Sequence, residues 1–239
     1  MTAAMTGARE HLAGAERVSA ATAAVWVLMG GILAKALWLL VGLCRLRSLR
    51  TAGTIAVLSD DLALLQRTVA PAADVRWHER IAQPVTFGLA RPVVLLPSRL
   101  RELPPDVQRA VLCHELLHAA RRDWRSILIE EIVRTAFWFH PAIWWLIARI
   151  QLCREETVDA LAVSITASRR LYMQALLAFA DSTPPPLMAA PLFARRRHLV
   201  VRIRQLSQEV VMSPRRIVFS AAALLAIIAA CGWTVVSAL

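Results

Sequence analysis

Apolar positions are unevenly spread along this chain. They gather into two long blocks, 21–44 and 217–239, and a shorter one at 135–148. About 20 helical residues cross a hydrocarbon core, so each long block predicts a membrane-spanning helix. The first starts too late and runs too long for a signal peptide. The short block is interrupted by His140 and Pro141 and is too brief to span. Its tryptophans predict an interfacial or re-entrant segment that presses the chain onto the bilayer. A buried core helix is the alternative.

Between the blocks the pattern changes to that of a folded domain. Residues 54–58 predict a strand. Residues 84–97, β-branched but broken by Gly88 and Pro92, predict two short strands around a turn. The run Leu103-Pro104-Pro105-Asp106 opens a helix that continues to about Arg121. Further helices are predicted over 124–134, from Pro141 to about Ser164, and over 171–180. Residues 181–191, with three consecutive prolines, read as a loop, and the arginine-rich stretch 195–208 leads into the last block. The expected fold class is α+β, mainly helical, with a small sheet. The expected organisation is a tail at 1–20, a transmembrane helix at 21–44, a cytoplasmic domain at 45–213 and a transmembrane helix at 214–239.

Charge gives these segments an orientation. The formal net charge is +11, and 57% of the residues are hydrophobic. Arg45, Arg47 and Arg50 follow the first block, and Arg215 and Arg216 precede the last. The positive-inside rule then places 45–216 in the cytoplasm and both termini outside. Basic clusters beside apolar blocks point to lipid as a partner. No zinc-finger spacing, basic-region heptad or RNA-binding aromatic signature is present, so no direct nucleic-acid contact is expected. Lys35, the sole lysine, sits inside the first block. It either faces a partner helix or polar cavity, or snorkels to the interface. The cysteines, at 44, 113, 153 and 231, form no C-x-x-C pair and read as reduced thiols.

The chemistry concentrates at His114-Glu115-Leu116-Leu117-His118. Histidines four apart share one helix face and can grip one ion, and neutral imidazole is a good zinc ligand. Glu115 leans to the same side, placed to act as general base toward a water that attacks a peptide carbonyl. The surrounding Ala110, Val111, Leu112, Leu116 and Leu117 predict a helix packed in a core rather than a surface helix with two stray histidines. A catalytic zinc site takes three protein ligands. Glu155 in Arg154-Glu155-Glu156-Thr157-Val158-Asp159 is the best third ligand, with Glu156 as fallback. Asp159, one turn on, can accept the N–H of a ligating histidine and fix its tautomer. The bland alternative is that Glu155 and Asp159 only pair with Arg154 or Arg149 on a solvated face.

Four stretches together resemble the BlaR/MecR-type membrane metallopeptidases, the β-lactam sensor-transducer family: Phe87 through Pro97, His114 through Asp123, Phe137 through Trp145, and Arg154 through Asp159. The resemblance covers roughly 50–239. It implies a gluzincin-like cytoplasmic protease domain between two transmembrane helices of a bacterial cell membrane. It also implies one zinc ion on His114, His118 and Glu155, with Glu115 catalytic. In that family an external signal activates the protease, which cleaves itself, a transcriptional repressor, or both. Thr157-Val158 stand where the family commonly has Ala-Cys, which leaves the glutamate and aspartate in place. Family sensors carry a penicillin-binding domain after the last span, whereas this chain stops at Leu239. β-Lactam sensing is therefore not carried over. The expectation is a minimal or truncated relative, or a sensor supplied by another protein. A second copy of this chain is the other candidate partner.

Arg215-Arg216, just before the last block, is a candidate self-cleavage bond. The alternative is that both arginines only anchor the helix. Competing functions are a housekeeping membrane protease that degrades damaged proteins and a signalling scaffold that binds a repressor without cutting it. The intact Glu115 argues against the scaffold.

Overall fold

The structure is a computed structural model that describes residues 2–178, 202–204 and 206, with side chains from residue 22 onward. It is mainly helical, with one small mixed sheet. Helix α1 (Thr2–Ala52) runs unbroken through the tail and the first apolar block and into the folded domain. Its stretch Thr22–Ala52, whose most apolar 18-residue window has a mean hydropathy of 2.1, is long and apolar enough to cross a membrane. The expected second span at 214–239, the loop at 181–191 and the bond Arg215-Arg216 lie outside the described residues.

Four strands follow, β1 (Thr54–Ile55), β2 (Asp74–His78), β3 (Val85–Phe87) and β4 (Val93–Pro97), in the order β1-β2-β4-β3. β4 runs parallel to β2 and antiparallel to β3, and β1 runs antiparallel to β2. All five β4 residues are buried. A strand covered on both faces reads as a continuous apolar run, which is what Val93-Val94-Leu95-Leu96 supplies. Alternate residues serve opposite faces. Val94 and Leu96 join a core with Trp77, Ala110, Leu112 and Leu116, whereas Val93 and Leu95 pack with Phe87, Trp124 and Leu46. Leu46 belongs to α1, so the apolar helix is built into the domain's second core. Arg76 of β2 reinforces that junction by donating to the carbonyl oxygens of Arg50 and Gly53.

The expected strand 54–58 is only two residues long. It is followed by α2 (Asp60–Val69), a helix the sequence reading did not anticipate, with Ser59 at the N-cap position, Asp60 and Asp61 in the first turn and Leu62 and Leu65 buried. The two strands expected within 84–97 are present as β3 and β4. The turn between them needs glycine at Gly88, whose φ is +116° and where a Cβ would lie 2.5 Å from the Arg91 carbonyl oxygen.

Among the described residues the longer helices that follow are α3 (Pro105–Arg121), α4 (Asp123–Ala136), α5 (Pro141–Thr166) and α6 (Arg169–Ala178). Arg122, left-handed at φ 57° and ψ 38°, is the single residue between α3 and α4. The segment between α4 and α5 lies against α1. The Trp138 indole sits where a Cβ on Gly31 would be, 2.3 Å from the ring, and its Nε1 approaches the Leu28 carbonyl at 3.4 Å. Lys35 Nζ lies 4.9 Å from the Trp144 ring centroid and 5.1 Å from that of Trp38, so its charge is met by indole faces. Trp145, 69% exposed, and Phe139, 51% exposed, stand on the same end of the domain. These exposures fit the interfacial reading of 135–148 and do not fit a buried core helix. α5 connects this aromatic end to the domain centre, and the 11 residues from Trp144 to Glu155 span about 16 Å at helical rise.

Candidate metal centre

α3 is anchored in the core by Ala110, Leu112, Cys113 and Leu116, each fully buried. That anchoring fixes which way its other face looks. His114 and His118 project from that face, and their Nε2 atoms approach to 3.1 Å. α5 packs across α3 through Val158 and Ala162, which brings Glu155 over the pair. One carboxylate oxygen lies 3.6 Å from His114 Nε2 and the other 3.8 Å from His118 Nε2. One ligand atom from each of the three residues lies within 4.8 Å of the others. Glu156, the fallback, is not in this group.

The far side of each ring is held by an acceptor. His118 Nδ1 lies 2.8 Å from Asp123 Oδ2. His114 Nδ1 lies 2.7 Å from the Tyr172 hydroxyl, which itself donates to Asp159 Oδ1 at 2.5 Å. Asp159 thus serves His114 through Tyr172, since its direct separation from Nδ1 is 3.5 Å. Acceptors at both Nδ1 positions place the ring protons there and leave the two Nε2 lone pairs facing each other. Tetrahedral zinc with nitrogens at about 2.0–2.1 Å holds its ligand atoms about 3.3 Å apart. The histidine pair already has nearly that spacing, with Glu155 slightly wider, so the residues fit such an ion.

Electrostatics agree that the site favours a cation. Burial opposes charge on His118, but the hydrogen bond to Asp123 and the charges of Glu155 and Glu115 outweigh it and raise its pKa. Burial likewise opposes charge on Glu155, yet its hydrogen bond with His114 and the charges of His118 and Arg202 hold it well below the usual carboxylate range. Asp123 is lowered too, its burial outweighed by the hydrogen bond and charge of His118. Burial and the Asp159 charge push Tyr172 far up, so it stays a hydroxyl donor.

Glu115 is buried beside this group, and Thr86 of β3 donates to its Oε2 at 2.6 Å. β3 pairs only with β4 among the described residues, so its other edge is open.

The structure therefore gathers His114, Glu115, His118, Glu155 and Asp159 as the sequence reading expected. It adds Asp123, Tyr172, Thr86 and Arg202. Asp123 sits five residues after His118, a spacing that no single helix face brings together. Tyr172 is the chain's sole tyrosine and lies on α6, whose docking on α3 no local pattern encodes. Arg202 was part of an arginine-rich stretch with nothing to set it apart.

Residues 6–206 match the model of the BlaR1 peptidase M56 family. The chain is also similar to the regulatory protein BlaR1 of Bacillus licheniformis, at 28% identity over 109 residues. That match covers 42% of this chain and 18% of the relative's length. With most of its length matched by the family model, the chain belongs to the BlaR1 peptidase M56 family.

Proposed function

We propose that this chain is a membrane-anchored zinc metalloendopeptidase of gluzincin type with a regulatory role, its catalytic domain on the cytoplasmic face. The observation that carries the reading is the convergence of His114, His118 and Glu155 beside the buried, hydrogen-bonded Glu115. His114, His118 and Glu155 would hold the ion. When bound, zinc supplies a Lewis acid that polarises the scissile carbonyl and acidifies a water.

The chain's own groups account for the rest. Glu115 takes a proton from the attacking water and delivers it to the leaving amine. Thr86 donates to Glu115 Oε2 and so fixes which carboxylate oxygen is free for that transfer. The open edge of β3 offers backbone groups to an extended peptide, which would pair as an added strand next to Glu115. Asp123 and the Tyr172–Asp159 pair hold the two imidazoles in the tautomer that ligation needs.

The regulatory part of the reading draws on the family and on the relative's description as a regulatory protein. The substrate class is a cytoplasmic transcriptional repressor or the chain itself, with Arg215-Arg216 as the candidate internal bond. The clusters Arg45, Arg47, Arg50 and Arg215, Arg216 support a cytoplasmic domain between two spans. Metal analysis of wild type beside Glu155→Ala and Glu156→Ala tests the ligand set. Loss of zinc is expected only with Glu155→Ala, and loss only with Glu156→Ala would refute the assignment. Mass spectrometry of an active preparation tests the internal bond, since cuts elsewhere with none at Arg215-Arg216 would remove it.

A further inference from the structure

Arg202 belongs to neither of the helices that carry the metal-site residues, yet it holds both α5 carboxylates. Its Nε and Nη2 donate to Asp159 Oδ2 and Oδ1 at 2.8 and 2.6 Å. Its Nη1 lies 3.0 Å from Glu155 Oε2. The contacts are sheltered, with the arginine side chain 13% exposed and that of Asp159 3%. Burial opposes the guanidinium charge, but the hydrogen bond to Asp159 and the charges of Glu155 and Asp159 raise its pKa further, so it is permanently cationic.

Glu155 and Asp159 are like charges one helical turn apart, an arrangement that repels. Both must nonetheless stay aimed at the histidines, Glu155 directly and Asp159 through Tyr172. A planar guanidinium can take one carboxylate bidentately and a second with its remaining nitrogen, which a compact ammonium cannot copy. Gripping Glu155 by Oε2 also fixes the rotation of that carboxylate over the two Nε2 atoms. In sequence, Arg202 lies 15 residues before Ile217, where the last apolar block begins.

We propose that Arg202 is a positioning residue that sets Glu155 and Asp159 around the histidine pair, so that metal binding depends on the chain between α6 and the last apolar block. The inference rests on the reading of His114, His118 and Glu155 as zinc ligands. Partners that orient metal ligands typically contribute 10–100-fold in metal affinity, and Arg202 should fall in that range.

The test is zinc affinity of the full-length detergent-solubilised protein, measured by chelator competition, for wild type, Arg202→Ala, Arg202→Lys, Arg204→Ala and Glu155→Ala. Arg202→Ala should bind zinc about 10–100-fold more weakly, with added guanidinium restoring part of the loss. Arg202→Lys should be intermediate, and Arg204→Ala, an exposed neighbour, should match wild type. Wild-type zinc affinity in Arg202→Ala, alongside loss in Glu155→Ala, would overturn the role of Arg202 and leave the ligand assignment standing. A loss that neither guanidinium nor Arg202→Lys relieves would also overturn it, as the mark of a merely structural residue. Full zinc affinity in Glu155→Ala would overturn the ligand assignment, and this inference with it.

Discussion

Asp123 Oδ2 and His118 Nδ1 lie 2.8 Å apart across the single left-handed residue that separates α3 from α4. The pairing is a product of the turn. Had α3 continued through residue 123, the aspartate would have faced away from His118. Arg122 takes φ 57°, a conformation that costs a non-glycine residue about 1–2 kcal/mol, and the gain is a carboxylate that orients the His118 ring. Asp123→Ala should therefore weaken zinc binding about 10–100-fold while the helical circular dichroism is retained. Unchanged zinc affinity would show that the contact is incidental.

Thr86 tests the placement of the base separately from the metal. Thr86→Val keeps the shape but removes the donor to Glu115 Oε2. A hydrogen bond to a charged group is worth about 1.5–3 kcal/mol, so kcat should fall about 10–100-fold with zinc content unchanged. Thr86→Ser should retain most of the activity. Zinc loss in Thr86→Val would contradict a role confined to Glu115.

The contact between α1 and the α4–α5 turn is also testable. Gly31→Val places atoms where the Trp138 indole lies, and overpacking of this kind costs about 1–3 kcal/mol. The expected outcome is a lower Tm in lipid or detergent. Trp138→Ala should cancel most of that cost, so the double variant should be clearly non-additive. Additive effects would mean that the two residues do not meet.

Metal removal should expose the charge balance of the site through pH. Asp123 and Glu155 have lowered values, so the stability they contribute is present above their ordinary values of 3.8 and 4.5 and is lost as pH falls below them. His118 is raised, so its contribution is full below the ordinary 6.5 and is lost as pH rises through its higher folded value. The chelated protein should show its highest Tm between about pH 4.5 and 6.5, declining on either side. Bound zinc would take the place of the His118 proton, so the metal-loaded protein should not show the alkaline decline. A chelated protein with no decline above that window would contradict the acidic surround of His118.

Much of the architecture was legible because the residues that carry it act locally. Pro105 marks the start of α3, Pro141 that of α5, and Gly88 and Pro92 part the two short strands β3 and β4. The signals for α2 and β2 were present as well, in Ser59-Asp60-Asp61 and in the buried alternates Val75 and Trp77. Such signals are weak because short elements carry few periods of their pattern. At the site, helical spacing pairs His114 with His118 and Glu155 with Asp159, each within one helix, whereas joining the two pairs rested on the resemblance to a known family. Tyr172, Thr86 and Arg202 could not be placed, because each arrives from a separate element whose docking is decided by tertiary packing. Asp123 fell between the two cases, close in sequence but placed by one left-handed residue.

The central claim is that a metal held by His114, His118 and Glu155 works with Glu115 to hydrolyse peptide bonds. The most direct measurement compares zinc content and proteolysis in purified full-length wild type and Glu115→Gln. One zinc per chain is expected in both, with cleavage by wild type alone. Cleavage that survives in Glu115→Gln, or an active wild type without zinc, would contradict that claim.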